Sequence, residues 1–273
     1  MSSEIIGLHQ WFDSAPGRYL LAWEQACMDE AVADIFGYHA LQLGMAPVDG
    51  LRNNRMPHQW LALGSEDVPG PCDEGAEPQS QTPPLRAVAL WADAVALPFP
   101  SASLDLVVLP HTLELSVDPH TALREVERVL VPEGRVVIAG LNPLSLWGLR
   151  QMRARLLQRW TGASLYLPDV GEFIGYRRMR DWLRLLSFEV ESARFGCYRP
   201  AVRSAEWLER MKWVDPLGER WWPIFGSAYF LVAVKRVHGM RLLEPAWRAR
   251  RARVAATVPV VRRSGPPSAR GKR

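Results

Sequence analysis

The stretch Ala92–Pro143, ADAVALPFPSASLDLVVLPHTLELSVDPHTALREVERVLVPEGRVVIAGLNP, decides the fold. Within it Leu104–Leu109 (LDLVVL) and Arg135–Ala139 (RVVIA) are short, nearly continuous apolar runs, the pattern of strands buried on both faces. Between them Asp118–Leu130 (DPHTALREVERVL) reads as an amphipathic helix. Asp118 can cap its start, Pro119 suits the first helical position, and Leu123, Val126, Val129 and Leu130 make one apolar stripe. Pro132 and Gly134 end it. Just upstream, Ala87–Trp91 (AVALW) has the same doubly buried character. Strand, helix and strand in this order are the unit of a parallel sheet.

The flanks extend the alternation. Trp11–Ala33 reads as a helix, with Leu20, Trp23 and Cys27 at helical spacing. A partly apolar stretch, Ile35–Met45, precedes the breakers Pro47, Gly50 and Pro57, and His58–Gly64 can form a strand. Glu66–Pro84 holds five prolines and no periodicity, the composition of an exposed, flexible insertion. Downstream, Asn142–Trp160 and Met179–Leu186 read as helices, and Phe188–Phe195 and Tyr229–Val234 as strands. The expected organisation is an N-terminal helical segment (1–34), an α/β domain (35–240) and a basic tail (241–273).

Composition narrows the classes further. At 273 residues and 48% hydrophobic the chain can bury a full core, which excludes a collagen, a disulfide scaffold or a wholly disordered protein. Cys27, Cys72 and Cys197 are odd in number and far apart, so neither a disulfide framework nor a metal site is expected. The start, MSSEIIGLHQWFDS, has no signal-peptide pattern, and the apolar run Trp221–Val234 contains Pro223 and Gly226 and falls short of the ~20 residues of a spanning helix. A cytoplasmic location is the expectation. Charge is uneven: the net is +4, but the tail from Arg241 carries ten basic residues and Glu244, leaving the body at −5. Such a tail reads as a solvated extension, or as an electrostatic contact to nucleic acid or an anionic membrane surface.

Taken with its motifs, the Ala92–Pro143 block resembles the second half of the class I, Rossmann-like methyltransferases that use S-adenosylmethionine, in particular those acting on small molecules. The shared pieces are Asp93 after a strand, the Leu97-Pro98-Phe99 turn, Leu104-Asp105, the His111–Glu114 loop, Arg124-Glu125, and Leu130-Val131-Pro132-Glu133-Gly134. The resemblance implies a seven-stranded, mostly parallel sheet with helices on both faces and an antiparallel last strand, for which Tyr229–Val234 is the candidate. It also implies S-adenosylmethionine as cofactor and a small-molecule acceptor, while the apolar runs, all short of a spanning helix, give the expectation of no transmembrane segment.

The resemblance assigns residues too. Ligands of open α/β sheets sit beyond the carboxyl ends of the strands. Asp93 would accept from the adenine amino group there while the Ala94 amide donates to a ring nitrogen. The family's glycine-rich turn maps onto Leu41–Pro47, where Gln42 replaces the usual acid facing the methionine ammonium and Gly44 is the one glycine kept. Glu66, after the second strand, is competent to hold ribose hydroxyls. His111 would stand at the mouth of the site and orient or deprotonate an acceptor. Tryptophans in the Trp207–Trp222 stretch would pack, line an apolar pocket or cover it. The altered Gln42–Pro47 turn raises the alternative of a catalytically inactive relative that binds a ligand or partner, contacting RNA through the Arg-rich tail. No Asn-Pro-Pro-Tyr motif points to base methylation, and no G-x-G-x-x-G turn to a dinucleotide.

Overall fold

The computed structural model describes residues 11–64, 86–161, 166–168 and 173–237. The Glu66–Pro84 insertion and the basic tail lie outside them. Seven strands, β1 (His39–Leu43), β2 (His58–Leu63), β3 (Leu90–Trp91), β4 (Leu104–Pro110), β5 (Leu130–Leu141), β6 (Phe188–Gly196) and β7 (Ala228–Lys235), form one sheet in the order β3-β2-β1-β4-β5-β7-β6. β1 to β5 run parallel, and β7 is antiparallel to both β5 and β6. The order reverses between β1 and β4, which opens a crevice at their carboxyl ends.

The helices α1 (Ala15–Ala33), α2 (Thr112–Leu115), α3 (Pro119–Val129), α4 (Leu146–Thr161), α5 (Tyr176–Leu185), α6 (Ala205–Arg210) and α7 (Val214–Trp221), with a short 3-10 helix at Pro223–Phe225, complete the described elements. One face of the sheet buries Leu20, Met28 and Val32 of α1 and Trp147 of α4. The other buries Leu123, Val126 and Val129 of α3 and Met179 and Leu183 of α5. α3 begins as its sequence dictates. Asp118 accepts from the amides of His120 and Thr121 at 3.1 Å, and Pro119 takes the first turn.

Two local expectations are corrected. β3 is two residues long and lies at the sheet edge, with Leu90 partly buried and Trp91 exposed, so Ala87–Trp91 is not a doubly buried strand. β5 starts at Leu130 and passes through Pro132 and Gly134, which the sequence reads as breakers; Leu130 pairs with Leu104 ahead of a register shift that absorbs the irregularity. No helix joins β1 to β2: residues 44–57 form turns, pinned by the buried Val48, Leu51 and Met56. Asn54 ties those turns to the end of α1 by donating to the carbonyls of Val32 (2.9 Å) and Ile35 (3.0 Å).

Candidate functional site

A pocket of about 400 Å³ opens in the crevice. Leu43 and Gly44 after β1, Ala62 and Gly64 after β2, Ala92–Val95 after β3, and Thr112 with Leu115–Asp118 after β4 line it. Parallel strands deliver all four loops to one end of the sheet, which is why residues so distant in sequence converge. The walls are mostly apolar with few polar groups, the usual make-up of a small-molecule site.

Three candidates from the sequence meet here: Gly44, Asp93 and Ala94. Gly44 has φ 75°, the left-handed region that glycine enters without strain, so the chain turns sharply off β1 and presents bare backbone to the pocket. Asp93 Oδ1 accepts from the Val95 amide at 3.1 Å, fixing the turn; its second oxygen has no such duty in that turn. Glu66 lies outside the described residues, although Gly64, two positions earlier, lines the pocket.

Gln42 does not face the pocket. It is buried, and its amide nitrogen donates to the carbonyls of Val48 (2.6 Å), Met45 (3.2 Å) and Gly44 (3.3 Å), while its oxygen accepts from the Gly50 amide at 2.8 Å. It therefore does internally, for a turn that leads into no helix, what helical hydrogen bonds do elsewhere. A carboxylate can only accept. Three carbonyl oxygens around one terminal atom require the amide, which gives the substitution of the family's acid a physical reason.

His111 is also away from the mouth. It is fully buried, at φ 55°, behind the pocket wall that Thr112 begins. Its Nδ1 lies 2.8 Å from Glu114 Oε2 and its Nε2 2.9 Å from Glu24 Oε1 of α1. A neutral imidazole carries one N–H, so two carboxylate partners call for the imidazolium. Burial alone favours the neutral ring, but the Glu24 and Glu114 carboxylates outweigh it and raise its pKa to about 10. Burial pushes the Glu114 carboxyl up in turn, and its other oxygen accepts from the Leu141 amide at 2.6 Å. Among the described residues, Glu24 Oε2 is buried without a hydrogen-bond partner. The cluster joins α1, the loop after β4 and the end of β5; it braces the site and does not touch the pocket.

Thr112 and Ser116 are pocket residues that carry no signal in the sequence, and Asp118, legible there as the cap of α3, lines the pocket as well. Thr112 Oγ1 donates to the Leu43 carbonyl at 2.5 Å and so clamps the loop after β4 to the end of β1. Glu24 left a legible trace: an acid among Leu20, Cys27 and Met28 on the inward stripe of a helix needs a buried cation.

Residues 71–138 match the methyltransferase-domain family. The chain is 41% identical over 103 residues to the uncharacterized protein YafS of Escherichia coli, covering 38% of this chain and 40% of that one. It is 46% identical over 65 residues to a malonyl-[acyl-carrier protein] O-methyltransferase of Halorhodospira halophila, covering 24% of this chain and 22% of that one. The chain thus matches less than half the length of either curated relative. Among solved structures it is similar to a chain from the complex between the Haloferax volcanii Trm112 methyltransferase activator and a methyltransferase. That likeness has TM-score 0.52 and 18% identity over 86% of this chain and 99% of that one. With this sheet order and this crevice, the chain has the Rossmann-like α/β fold of the class I methyltransferases, and its central residues 71–138 are similar to their methyltransferase domain.

Proposed function

We propose that the chain transfers a methyl group from S-adenosylmethionine to a small-molecule acceptor bound beside it in the β1–β4 crevice. The observation that carries this is the convergence of Gly44, Asp93 and Ala94 on one pocket at the switch in strand order. The donor set fits such a cofactor. Asp93 would accept from the adenine amino group, the Ala94 amide would donate to a ring nitrogen, and the bare backbone at Gly44 leaves room for the sugar and amino-acid part. Bound there, the cofactor would supply an electrophilic methyl group. The apolar walls at Leu43, Leu115 and Val117 would exclude water, and the polar groups of Thr112, Ser116 and Asp118 would orient the acceptor. His111 is held between two carboxylates away from the pocket, and both oxygens of Asp118 are engaged by Thr121 and His120 in capping α3, which holds its carboxyl below the usual range, so the proposal rests on positioning of the acceptor and assigns no general base.

The local similarity to an O-methyltransferase supports methyl transfer without naming the acceptor. A second reading, a binding protein without turnover, is favoured by the helix-free turn after β1, where no helix N-terminus meets the cofactor's carboxylate. Calorimetry with S-adenosylmethionine and its demethylated product, then a methyl-release assay against fractionated extract, separates the two. The proposal expects binding of both compounds, weakened about tenfold or more by Asp93→Ala, since a charge-assisted hydrogen bond is worth roughly 1.5–3 kcal/mol. Absence of binding at millimolar cofactor refutes it; binding without turnover of any fraction supports the second reading.

A further inference from the structure

We propose that the outward face of α4, with the Trp222–Phe225 segment beside its start, docks on an anionic lipid surface. This is independent of what the crevice binds. The face is apolar where a body of this size has no need of it: Leu146, Leu149, Met152 and Leu156 of α4, with Ile224 and Phe225, are between 47% and 69% exposed. Leu149, Met152 and Leu156 fall at i, i+3 and i+7, so they form one stripe along a helix about 24 Å long.

The two parts are joined. Asn142 donates to the carbonyls of Ile224 (2.7 Å) and Gly226 (2.9 Å) and accepts from the Leu144 amide at the entry to α4. The opposite face of the helix is anchored: Trp147 donates to the Arg199 carbonyl at 2.8 Å, and Gln151 bonds the backbone of Tyr166 and Leu167. The stripe is therefore held outward by a rigid mount.

Charge selects the occupant. The sequence of α4, Leu146–Thr161, has four arginines and no Asp or Glu. Arg153, which is exposed, flanks the leucine stripe, and Arg150 is engaged with the Ala201 carbonyl and the Tyr166 ring. An apolar stripe bordered by an arginine stem that can extend to phosphate headgroups is the make-up of a helix lying in a bilayer interface. A second copy of this chain would bring like charges face to face, which disfavours it. No described helix is long and apolar enough to cross a membrane, so the contact is with one leaflet.

The test is flotation of the full chain with vesicles of phosphatidylcholine alone or mixed with phosphatidylglycerol. The proposal expects binding to the anionic vesicles only, decreasing with added salt. Leu149→Ser with Leu156→Ser should weaken it about tenfold or more, as should Ile224→Ser with Phe225→Ser, with the urea midpoint unchanged because these side chains are exposed. Replacing Arg248, Arg250, Arg251 and Arg253 by Gln in the tail should leave most of the binding. Three results would overturn the proposal: no binding to anionic vesicles, binding lost with the tail arginines but kept in the serine variants, or a concentration-dependent dimer abolished by the serine variants in a chain that does not float.

Discussion

Replacing Gln42 by Glu, which restores the acid usual at this turn, is expected to harm this protein. The reasoning is local. Gln42 is 1% exposed and its nitrogen is surrounded by the carbonyls of Gly44, Met45 and Val48. An ionised carboxylate there would set two acceptors against three and lose its water, so the variant side chain folds only when protonated. A carboxyl that must be protonated in the native state and is ionised in the unfolded chain costs about 1.4 kcal/mol for every pH unit above the ordinary Glu value of about 4.3. At pH 7 that is about 4 kcal/mol. Below pH 4 the protonated acid still donates once, towards Val48, and still accepts from Gly50, so the loss shrinks to about 1 kcal/mol, one neutral hydrogen bond. Because the folded-state pKa is raised, the sign is fixed: the penalty grows with pH and fades as pH falls. Urea unfolding of both proteins at several pH values between 4.5 and 7.5 measures it. Equal stability at pH 7.5, or tighter S-adenosylmethionine binding without a pH-dependent loss, would refute the assignment of Gln42 as a brace of its own turn.

Other perturbations probe the same architecture. His111→Asn keeps a residue tolerant of the left-handed backbone but removes the cation between Glu24 and Glu114; it should cost about 3–5 kcal/mol at neutral pH. The folded-state pKa of His111 is raised to about 10 from an ordinary value of about 6.5. Its stabilisation is thus complete below pH 6.5 and lost as pH rises towards 10, and urea midpoints of variant and parent should converge over that window; a constant difference contradicts the imidazolium. Gly44→Ala forces a side chain into φ 75° and should destabilise by about 1–2 kcal/mol, with a matching fall in cofactor affinity by calorimetry. Gly140→Ala would put a methyl 2.6 Å from the Tyr229 hydroxyl and 3.2 Å from Glu114 Oε1; a loss of about 1–3 kcal/mol in urea unfolding is expected, and none would mean that the wall yields.

Where sequence and structure agree, and where they part, follows from the range of the forces involved. The capped start of α3 and the apolar runs of β4 and β7 are legible because they rest on contacts within a few residues or on periodicity. The short β3 is not, since an apolar pentapeptide looks the same at a sheet's edge as at its centre; only its place beyond β2 makes it two residues long. The site divides in the same way. Gly44, Asp93 and Ala94 reach the pocket because each follows a strand directly, and topology carries strand ends to the crevice. Gln42 and His111 stand outside the pocket lining because their orientation depends on partners that local sequence does not reveal. His111 turns inward because Glu24, 87 residues earlier, waits beneath it. Gln42 turns inward because the segment up to Pro57 has no helical hydrogen bonds of its own. Those two facts are linked in what they imply for the crevice. A turn without its helix would be free to move, and the Gln42 amide, the Asn54 clasp to α1 and the Thr112 clamp on Leu43 hold it from three sides. The Gln42 amide is therefore a compensation within the turn after β1, and it keeps the bare backbone of Gly44 at the edge of an open pocket.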